Sequence, residues 1–180
     1  TNVYNSNLKL FHHKQEAVLG DVREIKTSDI PDFDILLAGF PCQPFSNAGN
    51  RKGVNDDKGR GTLFEVCERV LKEKINNGHK PKAFLFENVR GILSSKMADG
   101  VTVPDEIRKR MNALNYEVSQ QLVCASDYGV PQKRYRVLII GIERNLSEND
   151  IMRFDFAKVD ELITKNKIPS EKNGTGDKLV

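Results

Sequence analysis

The stretch Asp34-Ile35-Leu36-Leu37-Ala38-Gly39-Phe40-Pro41-Cys42-Gln43-Pro44-Phe45-Ser46 decides the reading of this chain. Four consecutive apolar residues, bounded by an acid and a glycine, predict a buried β-strand. Gly39, Pro41 and Pro44 then force a tight turn, so Cys42 falls at the tip of a turn at the carboxyl end of that strand. Ligands bind at this edge in open α/β sheets. Outward from it, Ala83-Phe84-Leu85-Phe86-Glu87-Asn88-Val89 is an apolar strand that runs into a carboxylate, and Gln132-Lys133-Arg134-Tyr135-Arg136 is a basic cluster leading into Val137-Leu138-Ile139-Ile140. A thiol, an acid and an arginine pair, each beside an apolar strand, form a specific set.

Helical patterns separate these strands. Thr62 with Glu65 reads as a capping box, followed by Leu63, Val66, Val70, Leu71 and Ile75 at helical spacing and a stop at Asn76-Asn77-Gly78. Pro104 opens a second helix with Ile107, Met111 and Leu114 on one face. Residues 116–124 alternate as a strand, and the short link to a strand over 136–142 makes those two antiparallel neighbours. The order predicts an α/β fold with a mostly parallel sheet and a reversed strand near the end. Residues 47–61 form a polar loop with four glycines, of a length that marks function or disorder. From Leu146 onward the character changes, and residues 164–180 read as a linker or frayed end.

Composition sets the frame. The chain has 180 residues, 29% charged and 38% apolar, enough for one folded domain. A formal charge of +3 neither establishes nor opposes a nucleic-acid partner. No apolar run is long enough to span a bilayer, and the first residues carry no signal-peptide pattern. The three cysteines, Cys42, Cys67 and Cys124, fit neither a zinc site nor a disulfide framework. No metal is expected, and reduced thiols point to the cytoplasm. Cys67 and Cys124 sit on apolar patterns as small core residues, whereas Cys42 does not.

Each chemical group has two readings. Cys42 is either a buried turn cysteine or a nucleophile, active as the thiolate in an exposed electropositive setting that Arg134 and Arg136 could supply. Glu87 is either half of a structural ion pair or a carboxyl that donates a proton or hydrogen bond to a ring nitrogen. Asn88 beside it could fix the backbone of the cysteine turn. Arg134 and Arg136 are either a solvated strand edge or a clamp for an anion or polar carbonyl.

Taken together, the segments resemble the bacterial cytosine-5 DNA methyltransferases of restriction–modification systems, over about residues 1–145. Phe40-Pro41-Cys42-Gln43 matches that family's Pro-Cys motif, Glu87-Asn88-Val89 its Glu-Asn-Val motif, and Gln132-Lys133-Arg134-Tyr135-Arg136 its Gln-x-Arg-x-Arg motif, in order and spacing. Gly20-Asp21-Val22 resembles the segment whose aspartate meets the cofactor adenine, and Gly61-Thr62-Leu63-Phe64 the helix start whose leucine lines that pocket.

The resemblance implies a Rossmann-like, S-adenosylmethionine-dependent methyltransferase sheet, here incomplete. It implies methyl transfer to carbon 5 of cytosine in duplex DNA, with the base flipped out and a covalent adduct on Cys42. Glu87, Arg134 and Arg136 join Cys42 as catalytic residues. Asp21, Pro41 and Leu63 bind the cofactor, and Phe40, Gln43, Ser46, Asn88 and Gln132 the substrate. The loop from Ser46 to Gly61 matches the lid over the flipped base. The family's Phe-x-Gly-x-Gly turn, its ribose-binding acid, its target-recognition region and its late motifs have no match, and Gly174-Thr175-Gly176 in a polar tail is no substitute. The expectation is a central fragment, inactive alone. Residues 1–145 are a partial catalytic domain, and 146–180 a linker or the start of a target-recognition region. Its partners are duplex DNA and the remaining segments of the enzyme or a second subunit. The alternatives are an RNA cytosine methyltransferase, which Gly39-Phe40 before Pro-Cys disfavours, one subunit of a split enzyme, or a binding module.

Overall fold

Alternation of side chains across a pleated strand decides what faces the core here. Phe84 and Phe86 point to one side of their strand and are fully buried, while Leu85 and Glu87 point to the other. In the computed structural model, residues 19–41, 63–97, 99–146 and 153–165 are described. They fall into two compact units, residues 1–31 and 32–180. Of the first, the described part contains a turn at Asp21 and a single 3₁₀ turn, Thr27–Asp29.

The second unit carries β1 (Ile35–Gly39), α1 (Leu63–Asn76), β2 (Ala83–Val89), α2 (Val103–Ala113), β3 (Tyr116–Cys124), β4 (Tyr135–Glu143) and α3 (Phe156–Lys165). The sheet order is β1-β2-β4-β3. β1 and β2 are parallel, and β4 is antiparallel to both β2 and β3. Three strands therefore run one way, as expected. The reversed strand is last in the chain but internal in the sheet, because its apolar run (Val137, Ile139 and Ile140, all buried) fits a central position and the polar β3 fits an edge.

One sheet face packs on α1 and α2. Phe64, Leu71, Ile107 and Met111 from the helices meet Phe84, Phe86, Tyr116, Val137 and Ile139 from the sheet. Each large apolar side chain so buried contributes about 1.5–3 kcal/mol. Tyr116 is tolerated at full burial because its hydroxyl donates to the Pro81 carbonyl at 2.7 Å. Phe84 stacks on Phe86 at 4.4 Å and lies directly opposite Gly141. A Cβ there would fall within 2.0 Å of the Phe84 ring. Buried charges on α1 are paired: Glu68 with Arg110 of α2 and with Lys72, and Lys74 with Asp32 at 2.8 Å.

Four expectations are refined. β1 is an edge of the described sheet, so Leu36 and Ala38 pack on the core while Ile35 and Leu37 are 57% and 70% exposed. β2, whose buried part was expected over residues 82–86, continues through Glu87-Asn88-Val89 because β4 pairs with all three. α2 begins at Val103, capped by Thr102, whose hydroxyl accepts from the Asp105 amide at 3.3 Å. Finally, α3 lies in the region read as a linker or the start of a target-recognition region. Its Ile163 is buried, and Tyr128 donates to Asp160 at 3.4 Å. No helix of the described residues is long and apolar enough to cross a membrane.

Candidate active site

Four consecutive residues of β2 divide between packing and chemistry. Phe86 points into the core, Glu87 away from it, Asn88 back toward it, and Val89 outward again. Asn88 is only 2% exposed. Its Nδ2 donates to the Phe40 carbonyl at 3.0 Å, and its Oδ1 accepts from the Val89 amide at 2.9 Å. A buried amide so satisfied is a rigid fastener. It holds the chain at Phe40, two residues before Cys42.

Phe40 strengthens the hold. Its ring is 7% exposed and packs edge-on to Phe86 at 5.7 Å and tilted against Phe64 at 6.1 Å. The ring of Phe40, matched in sequence to substrate binding, packs in the core because the residue after Gly39 falls on the helix-covered side of the sheet. Pro41 is exposed beyond it. Cys42, Gln43, Ser46 and the loop to Gly61 lie outside the described residues.

Glu87 pairs in register with Gly39 of β1 and Leu138 of β4. Its Oε2 would be 3.4 Å from a Cβ on Gly39, so the carboxylate lies over the strand end that leads to Cys42. Arg136 shares this face, with its Nε 2.5 Å from Glu87 Oε1. Its Nη1 donates to the Tyr135 carbonyl at 2.7 Å. The carboxylate side chain is 41% exposed and the guanidinium side chain 22%. The pair is thus open to an incoming group while held on its protein side. The ion-pair reading of Glu87 is met in this geometry, and its carboxylate is partly exposed near the end of β2.

The turn 125–134 brings the basic cluster to this edge. A 3₁₀ turn, Ala125–Tyr128, ends at Gly129 with φ 80°, and the Arg134 carbonyl accepts from the Ala125 amide at 2.9 Å. Gln132 is exposed, and its backbone carbonyl accepts from the Arg134 amide at 2.9 Å. Arg134 is exposed as well, one residue outside β4.

The residues matched to cofactor binding divide between the two units. Asp21 stands in the first, where the Arg23 amide donates to it at 2.9 Å and the Arg23 guanidinium pairs with it. These hydrogen bonds hold its carboxyl down at about 2, so it is an ionised acceptor at neutral pH. In the second, Leu63 opens α1 and is half-buried against the core.

The other cysteines behave as their patterns required. Cys67 packs against the core, and burial pushes its thiol up to about 11. Cys124 is 5% exposed, with its Sγ 3.2 Å from the Ser126 hydroxyl. Sequence reasoning missed Gly39 as the floor beneath Glu87, and also the approach of Arg90 to Tyr135. Their positions beside the motifs were the available signals.

Comparison with known proteins agrees with this geometry. Residues 1–178 match the family described as C-5 cytosine-specific DNA methylase. The Type II methyltransferase M.BsuFI of Bacillus subtilis is 40% identical over 161 residues, covering 87% of this chain and 36% of that protein. The Type II methyltransferase M.NlaIV of Neisseria lactamica is 39% identical over 178 residues, covering 94% and 39%. Among solved structures, the S. pombe Dnmt2 methyltransferase aligns with a TM-score of 0.63 at 25% identity, covering 89% of this chain and 45% of that one. The chain thus spans 36% to 39% of the length of these two curated relatives. With this family match over nearly the whole sequence, and the Glu87–Arg136 pair and the Asn88 fastener in one α/β sheet, the chain belongs to the C-5 cytosine-specific DNA methylase family.

Proposed function

We propose that this chain carries the base-handling part of an enzyme that methylates carbon 5 of cytosine in duplex DNA, in a bacterial restriction–modification setting. The observation that carries the reading is the Glu87–Arg136 pair, open on the sheet edge over Gly39. An acid and a guanidinium side by side match the polar edge of cytosine, which presents a ring nitrogen next to a carbonyl oxygen.

Carbon 5 of cytosine is a poor nucleophile until the ring is activated. The Cys42 thiolate adds to carbon 6, converting the ring to an enamine-like system. Glu87 hydrogen-bonds or protonates N3, drawing electron density from carbon 6 and favouring that addition. Arg136 holds the carbonyl oxygen and keeps the base in line. After methylation, removal of the carbon 5 proton lets the carbon–sulfur bond break and restores the thiolate. Asn88 holds the backbone at Phe40, which leads to Cys42. The base must leave the duplex to reach this edge. Arg134, Gln43, Ser46 and Gln132 extend the contact surface.

S-adenosylmethionine supplies an electrophilic methyl group when bound. Asp21 would accept from its adenine amino group, with Leu63 and Pro41 against the ring. The remaining segments of the enzyme, in this or a second polypeptide, complete the site, and the cytoplasm is its place of work.

The test is transfer of tritiated methyl groups by the full protein to duplex DNA and, separately, to tRNA. Label in DNA is expected. Label in tRNA alone would assign the chain to RNA modification, and label in neither would refute the reading.

A further inference from the structure

Arg90 and Tyr135 have no role in the chemistry above, yet the fold brings them together. Arg90 follows Val89 at the end of β2, and Tyr135 opens β4. Val89 is the ladder partner of Arg136, which sets Arg90 beside the start of β4. The Arg90 guanidinium carbon lies 5.8 Å from the centroid of the Tyr135 ring, within reach of the attraction between a cation and an aromatic face.

The main chain of Tyr135 is engaged elsewhere. Its carbonyl accepts from Arg136 Nη1 at 2.7 Å, and Arg136 Nε lies 2.5 Å from Glu87 Oε1. Its ladder partner is Cys124 of β3. One chain of contacts therefore runs from Arg90 to the Tyr135 ring, through the Tyr135 carbonyl to Arg136, and on to Glu87.

We infer that Arg90 is a positioning residue for the base-handling pair: by holding the Tyr135 ring it fixes the carbonyl that orients the Arg136 guanidinium toward Glu87. The inference rests on the role proposed above for Glu87 and Arg136. Tyr135 is 38% exposed, and a cation over an exposed ring adds little to folding stability. The consequence lies in orientation, where a small displacement of a positioning group costs far more rate than the contact itself is worth.

Kinetics of methyl transfer to duplex DNA by the full protein test this. Arg90→Gln and Tyr135→Leu should each lower kcat about tenfold with little change in KM for DNA. Tyr135→Phe, which keeps the ring, should retain near-normal kcat. In an Arg136→Gln background, Arg90→Gln should add no further loss. An unchanged kcat for Arg90→Gln, a change confined to KM, or a full additional loss beside Arg136→Gln would each overturn the inference. A second readout stands apart from activity. The ¹⁵Nε–H signal of Arg136 in the full protein should shift in Arg90→Gln and Tyr135→Leu but not in Tyr135→Phe, and a signal unmoved in all three would overturn it. A protein that transfers no methyl group would refute the function proposed above and leave this second readout to decide the inference.

Discussion

Glu87 and Cys67 show how one sheet and one helix give similar residues opposite fates. Glu87 ends an apolar run yet stands open at the strand end, held by Arg136. Removing its charge with Glu87→Gln keeps the shape and loses the proton donor. Methyl transfer should fall by about 10²-fold or more, as for other positioned acids, and steady-state kinetics on duplex DNA would check it. Cys67 is the converse. Burial raises its thiol from 9.0 to about 11, so the fold holds the neutral form. That preference stabilises the fold below the unfolded pKa near 9.0 and is lost as pH rises through about 11. Cys67 should therefore resist iodoacetamide at pH 8 in the folded protein and react readily in urea. Mass mapping of labelled peptides would show this, and rapid labelling of folded Cys67 would mean that the helix face is not packed as described.

At the scale of elements, the Asn88 fastener ties β2 to the chain leaving β1, and the Phe84–Gly141 contact joins the two central strands. Asn88→Ala removes two hydrogen bonds and leaves the Phe40 carbonyl without that donor. A loss of about 1–3 kcal/mol is expected, measured as a lower urea midpoint at constant slope. Gly141→Ala drives a methyl group into the Phe84 ring, and overpacking of this kind costs about 1–3 kcal/mol. The same measurement would check it. These elements were unequally legible in sequence. Residues 116–124 alternate cleanly, and the strand they predicted is β3, Tyr116–Cys124. The parallel pairing of β1 with β2 followed from helix-length connections. The central place of β4 did not, because sheet order depends on which strand buries both faces, a matter of tertiary competition rather than local pattern. α3 was missed because charged residues hid the spacing of Phe156, Val159 and Ile163.

For the molecule as a whole, two of the three segments singled out in the sequence, those around Glu87 and Arg136, meet beside the end of β1. The sheet then brings Gly39, Glu87 and Arg136 to one face. The packing of the Phe40 ring was not legible in the sequence, because a motif does not say which of its residues face the core. A further part of the reading, Cys42 to Thr62, lies outside the described residues. The central claim is that Cys42 bonds to carbon 6 of cytosine while Glu87 and Arg136 hold the ring. Duplex DNA bearing 5-fluorocytosine at the target position tests it most directly, because fluorine cannot leave carbon 5 as a proton does and the adduct stays bound. Incubating the full protein with this DNA and S-adenosylmethionine, followed by denaturing mass spectrometry, should give a protein–DNA conjugate mapped to Cys42. The conjugate should be absent in Cys42→Ser and much reduced in Glu87→Gln. Methyl transfer to ordinary duplex DNA by Cys42→Ser at a near-normal rate, or a conjugate mapped to Cys67 or Cys124, would contradict the account.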